Sequence, residues 1–113
     1  MPHILSISYD PSLLRTRQIM LERAGFKVTS ALGFTEAQEH CQPDANFDLV
    51  LLGHTVPRKD KSALITLLKQ RCNKPMLSIR RHGYPPVPEA DFSVDSHEGP
   101  EALIRAVKSA LAS

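Results

Sequence analysis

The sequence predicts an α/β protein: a three-layer α/β/α sandwich around a five-stranded parallel sheet. Three observations lead there. Short aliphatic runs alternate with longer segments whose apolar residues recur at helical spacing. The runs are nearly continuous rather than alternating, as in strands covered on both faces. At 113 residues, the chain has room for one domain and one core, so residues 1–113 are expected to form a single unit.

The first strand is His3-Ile-Leu-Ser-Ile-Ser8, too short and too apolar for a surface helix. Asp10-Pro11 follows, a capping residue with proline at the first helical position. That helix carries Leu13, Leu14, Met20, Leu21 and Ala24 on one face, and Gly25 stops it. Phe26 to Ala31 is a second strand. Thr35-Glu-Ala-Gln38 has the form of a capping box, which predicts a short helix from there to about Cys41.

Leu49 to Leu52 is the most strongly buried-looking strand. After Pro57, a helix is expected from about Asp60 to Arg71, with Leu64, Ile65, Leu67 and Leu68 as its stripe. Pro75 to Ile79 is a fourth strand. Pro85, Pro86 and Pro88 then exclude a regular helix between Arg80 and Ala90. Asp91 to Val94 is a brief fifth strand, and Pro100 opens a last helix with Leu103, Ala106, Val107, Ala110 and Leu111 inside. Right-handed crossovers at this size favour the flavodoxin-like strand order 2-1-3-4-5. Ligands of such sheets bind beyond the carboxyl ends of the strands, so Ser8-Tyr9-Asp10 and Gly53-His54 become the stretches to watch.

Composition excludes more than it assigns. A formal charge of +2 does not by itself imply a nucleic-acid or membrane partner. The N-terminus has no signal-peptide pattern, and no apolar run approaches the roughly 20 residues of a membrane span. Cys41 and Cys72 show no paired spacing, which predicts two free thiols in a reducing, cytoplasmic compartment. The five histidines and two cysteines show no metal-ligand spacing, and no G-x-S-x-G stretch occurs. No metal, cofactor or catalytic residue is expected.

The chain resembles a response-regulator receiver domain of two-component systems, and the resemblance covers nearly all of it. Ile4-Leu-Ser-Ile-Ser-Tyr-Asp-Pro-Ser-Leu-Leu-Arg15 is similar to the family's ILIVDDDPxLLR. Ala24 to Ala31 resembles its AGYEVxxA, and Phe47-Asp-Leu-Val-Leu-Leu52 with Pro57 resembles FDLVLLDxxMP. Ala90-Asp91 and Gly99-Pro-Glu-Ala-Leu103 match its last third.

The resemblance implies a phosphorylation pocket, and this sequence departs from it position by position. The magnesium-binding acidic pair falls on Ser8 and Tyr9, the phosphoacceptor aspartate on Gly53, and the switch hydroxyl on Arg80. The lysine falls near Ser96, with His97 in place of its proline. Only Asp10 keeps a carboxylate, a poor magnesium site alone. Gly53 has no side chain to phosphorylate, and no lysine is left to supply a fixed cation. The family's helix between the fourth and fifth strands is expected to be missing or shortened to a turn.

These departures imply a stand-alone, degenerate receiver that acts by protein contact without phosphorylation. Its partner would be a signalling protein or another receiver, met through the last helix, the proline-rich loop and the edge from Arg58 to Lys61. A histidine kinase partner and the oligomeric state are left open. Two alternatives are a receiver phosphorylated on His54 or Asp10, and a sensor of a small anion or nucleotide. The sensor would use Ser8, Gly53, His54, Arg80 and Arg81 with the first helix N-terminus. The basic run from Arg58 to Arg81 reads as a solvated helix face, with no nucleic-acid signal.

Overall fold

A computed structural model describes residues 1–113. Its strands are β1 (His3–Ser8), β2 (Lys27–Leu32), β3 (Leu49–Leu52), β4 (Met76–Arg80) and β5 (Phe92–Asp95). Its helices are α1 (Pro11–Arg23), α2 (Gly33–His40), α3 (Arg58–Arg71) and α4 (Gly99–Ala112). The sheet order is β2-β1-β3-β4-β5 and every pairing is parallel, as the sequence predicts.

Side-chain alternation along the strands sorts the core into two halves. Leu5, Ile7, Val50, Leu52 and Met76 pack with Leu64, Ile65 and Leu68 of α3 on one face. Ile4, Leu49, Leu51, Leu77 and Ile79 pack with Leu21 of α1 and Leu103 and Val107 of α4 on the other. All four residues of β3 are buried, which places this strand at the centre of both halves. Its end therefore marks the middle of the carboxyl edge, where Gly53 lies.

The ends of the helices differ in detail from the sequence reading. Asp10 Oδ1 accepts from the Ser12 and Leu13 amides at 2.9 and 3.2 Å, so α1 is capped as expected. Gly25, at φ 100°, supplies the left-handed residue that ends it. The expected capping box at Thr35 does not form. Instead α2 starts two residues earlier, at Gly33, and the Glu36 carboxylate reaches back to accept from the Leu32 amide at 2.9 Å. Likewise α3 begins at Arg58, directly after Pro57.

No helix lies between β4 and β5. Residues 81–91 form turns and loop, as the prolines require. This loop is tied down by Val87, buried in the α3-side core, and by Arg58, which donates to the Pro85 carbonyl at 2.8 Å. No helix of the structure is long and apolar enough to cross a membrane.

The expectation of two free thiols is corrected: Cys41 and Cys72 are joined in a disulfide. Each is the C-cap of its helix, α2 and α3, and both helices cover the same sheet face. Two crossover helices running back from the carboxyl edge must both finish at the opposite edge, so their caps meet. Their Cα atoms are 5.6 Å apart, within bridging range, although 31 residues separate them in sequence. Linear spacing carries no trace of that encounter.

Closing a loop of this length stabilises a domain by about 4 kcal/mol in the chain-entropy account. We expect the Cys41→Ser/Cys72→Ser variant to lose about that much in urea unfolding. Reductant should then lower the midpoint of the native chain alone. An unchanged midpoint would show that the bridge does not stabilise the fold.

Candidate functional site

The carboxyl edge of the sheet brings together the ends of β1, β3 and β4. At the end of β1, the Ser8 hydroxyl pairs with the Thr55 hydroxyl at 2.9 Å and accepts from the Asp10 amide at 3.0 Å. The Tyr9 hydroxyl donates to Asp60 at 3.2 Å. Burial, and then the neighbouring Asp60 carboxylate, push the Tyr9 phenol up to about 12. Asp10 is committed to capping α1. The acidic cluster implied by the resemblance is thus replaced by a hydroxyl network that ties β1 to the β3–α3 loop.

These residues do not fit magnesium. Ser8 and Tyr9 offer no carboxylate, Asp10 is spent on backbone amides, and nowhere do three or more His, Cys, Asp or Glu side chains gather.

Gly53 explains itself through Arg17. Alternation beyond Leu52 puts position 53 on the face covered by α1 and α4. There the Arg17 guanidinium occupies the place where a side chain at 53 would begin. A Cβ on Gly53 would collide with Arg17 Nη1 and come within 3.2 Å of the Ile7 carbonyl oxygen. Arg17 is only 7 % exposed. Its Nη2 bonds His54 Nδ1 at 2.9 Å, while Nη1 is buried with no hydrogen-bond partner.

No carboxylate pairs with this guanidinium, and burial pulls its pKa down. His54 is held below the usual histidine range, first by burial and then by Arg17, Arg81 and Lys61. Its imidazole is therefore neutral at neutral pH, and Nδ1 can accept from Arg17. His54 is an internal partner of Arg17 rather than a passive loop residue.

Lys61 enters from the other face. It is 4 % exposed and donates to Ser78 Oγ at 3.0 Å and to the Ile79 carbonyl at 2.8 Å. Burial, followed by repulsion from Arg17, Arg58 and Arg81, lowers its pKa to about 8. The expectation that this edge lacks a fixed cation is corrected: it has two buried ones. Lys61 is also removed from the expected contact edge, because it points inward.

Arg80 does not point into solvent. Its Nη1 donates to the Tyr84 carbonyl at 3.1 Å and pairs with Asp95 at 3.4 Å. Asp95 also accepts from the His97 amide, which holds its carboxyl below the ordinary range. Ser96 opens a 3-10 turn, Ser96–Glu98, and lines a cleft between α1 and α4 with Arg17 and His54. Arg81 Nε donates to the His54 carbonyl at 3.4 Å.

No family model and no curated protein matches the sequence. Solved structures do match the fold. A chemotaxis protein of Vibrio cholerae, CheY4, superposes with a TM-score of 0.82 at 18 % identity, over 97 % of this chain and 98 % of that one. A two-component response regulator from Clostridium difficile gives 0.83 at 18 % identity, over 99 % and 97 %. A CheY-like receiver domain protein from Methanospirillum hungatei gives 0.80 at 21 % identity, over 99 % and 94 %. The chain has the receiver fold. At such identities the likeness carries the fold alone, so what happens at the carboxyl edge must be argued from the side chains there.

Within the receiver fold, the sequence reading located Ser8, Tyr9, Asp10, Gly53 and His54 at one edge, and the structure brings them together. It missed Arg17 and Lys61. A signal was present, because each basic residue sits in register with an apolar stripe. Leu14, Arg17 and Leu21 share the buried face of α1, and Lys61, Leu64, Ile65 and Leu68 that of α3.

A double-mutant cycle tests the relation between Gly53 and Arg17. Gly53→Ala should cost about 1–3 kcal/mol, as overpacking does. In an Arg17→Leu background the cost should fall by about 1 kcal/mol. Additive effects in urea unfolding would show that the two positions do not compete for space.

Proposed function

We propose that residues 1–113 act as a degenerate receiver-like unit in two-component signalling. The unit works as a protein-interaction module without phosphorylation, catalysis or cofactor. The observation that carries this reading is the Arg17 guanidinium standing against Gly53. Ordinary receiver chemistry needs a carboxylate nucleophile and a metal to neutralise phosphoryl charge. Here the nucleophile's place is filled by a cation, and the one acidic position that keeps its carboxylate, Asp10, caps a helix.

The same arrangement argues against Asp10 or His54 as a substitute acceptor. Asp10 would have to abandon two backbone amides, and the His54 Nδ1 lone pair already faces Arg17. With no acyl phosphate to bias two states, the unit holds one conformation. A signalling protein or another receiver would be met by the exposed side of α4 and by the proline-rich loop, where Tyr84 is 56 % exposed. Neither nucleic acid nor membrane enters the reading.

The proposal keeps the cytoplasmic setting of such signalling despite the disulfide. Cys41 and Cys72 are buried, and thiol–disulfide exchange requires access to the sulfur.

Intact mass after incubation with a small acyl phosphate and magnesium tests the reading, with a conventional receiver as control. No phosphoryl adduct is expected on the native chain. None is expected on Gly53→Asp either, because the new carboxylate would pair with Arg17 rather than with a metal. A stoichiometric adduct on the native chain would overturn the proposal.

A further inference from the structure

Beside the Arg17 site, across His54, lies a separate cavity of about 210 Å³ between the β3–α3 loop and the proline-rich loop. Its charged walls are Arg58, Lys61, Arg80 and Arg81, and no carboxylate lines it. Arg80 is balanced by Asp95, but Arg58, Lys61 and Arg81 have no ion-pair partner. Lys61 is almost wholly buried, and both of its acceptors, Ser78 Oγ and the Ile79 carbonyl, are neutral. An ammonium carries three N–H groups, so one is left over.

Three unpaired cations converging on a partly enclosed cavity repel one another and cost stability. Proteins keep such arrangements where an anion relieves them. The donor set suits a tetrahedral anion. Arg81, bonded only through Nε, provides a guanidinium fork, Arg58 the N–H groups that its two carbonyl bonds leave over, and Lys61 a point charge, a combination suited to phosphate. Pro57 leaves the start of α3 without a side-chain cap, so the free amides of its first turn add to the positive potential at the same wall.

The cavity also has an organic side. Val56, Pro57, Tyr84, Pro85 and Val87 line it, and the Tyr84 ring lies exposed at its rim. Arg58 secures the roof by donating to the Pro85 and Pro86 carbonyls at 2.8 and 3.4 Å. The loop that replaces a helix between β4 and β5 therefore builds the cavity instead of leaving the edge open.

We propose that this cavity binds the phosphate group of a small molecule, reversibly, through Arg58, Lys61 and Arg81. The site differs from the sequence expectation in its parts. It uses the start of α3 rather than that of α1, and it excludes Ser8 and Gly53. It is also independent of phosphoryl transfer, since reversible binding leaves the intact mass unchanged.

Amide chemical shifts followed during titration with inorganic phosphate test the inference, with chloride at matched ionic strength as control. Saturable shifts are expected at Val56, Lys61 and Arg81. Arg58→Ala and Arg81→Ala, both at accessible positions, should each weaken binding about tenfold while the rest of the spectrum stays folded. A parallel titration with adenosine monophosphate separates the sources. Tighter binding than phosphate assigns a phosphomonoester with an organic body over Tyr84, whereas equal binding assigns the free ion. Absence of saturable shifts, identical shifts with chloride, or full binding by both variants would overturn the site.

Discussion

The carboxyl edge of this protein depends on one steric fact: position 53 has no Cβ. That vacancy, at the end of the most buried strand, admits the Arg17 guanidinium from α1. Once a guanidinium is there, the rest of the edge follows. His54 must stay neutral to accept from it, and the carboxylate that remains, Asp10, serves the backbone of α1. A fold whose relatives in shape include response regulators here presents a cationic edge built from buried side chains. Leaving Nη1 of Arg17 without a partner costs stability, because a buried charge is normally paired.

The second buried cation extends this inversion across the sheet. Lys61 comes from α3 on the opposite face and reaches the end of β4. Arg17 and Lys61 thus bracket the sheet end from both layers, with His54 between them. The proline-rich loop completes the edge by mechanical rather than periodic means. Proline cannot donate a ladder hydrogen bond, but its carbonyl still accepts, and Arg58 uses two of them. Val87 then anchors the loop in the core. A short loop held this way does the covering that a helix would do with more residues.

Most of the fold was legible because it rests on local signals: aliphatic runs, the Asp10-Pro11 cap, Gly25, and the prolines after Arg80. The strand order followed from handedness and size. What escaped the sequence was everything that depends on which faces meet. Cys41 and Cys72 are far apart along the chain, and only the shared direction of α2 and α3 joins their caps. Thr35 offered a plausible cap, but Glu36 reached further back and started α2 at Gly33. Lys61 was read as part of a solvated helix face and Arg17 was passed over, although their register placed both on buried stripes. At the site itself, the loss of the acidic residues was visible at Ser8, Tyr9 and Gly53. What had replaced them was not, because the replacements come from helices distant in sequence.

The most direct test of this account is the exchange and proximity of the Arg17 guanidinium protons, measured by NMR on the folded chain. A guanidinium packed against Gly53 is shielded from water, so its protons should exchange slowly and show cross-relaxation with the Gly53 α-protons. Fast exchange with solvent and no contact to Gly53 would mean that the space is open. The edge would then be a vacant receiver site rather than one filled from within.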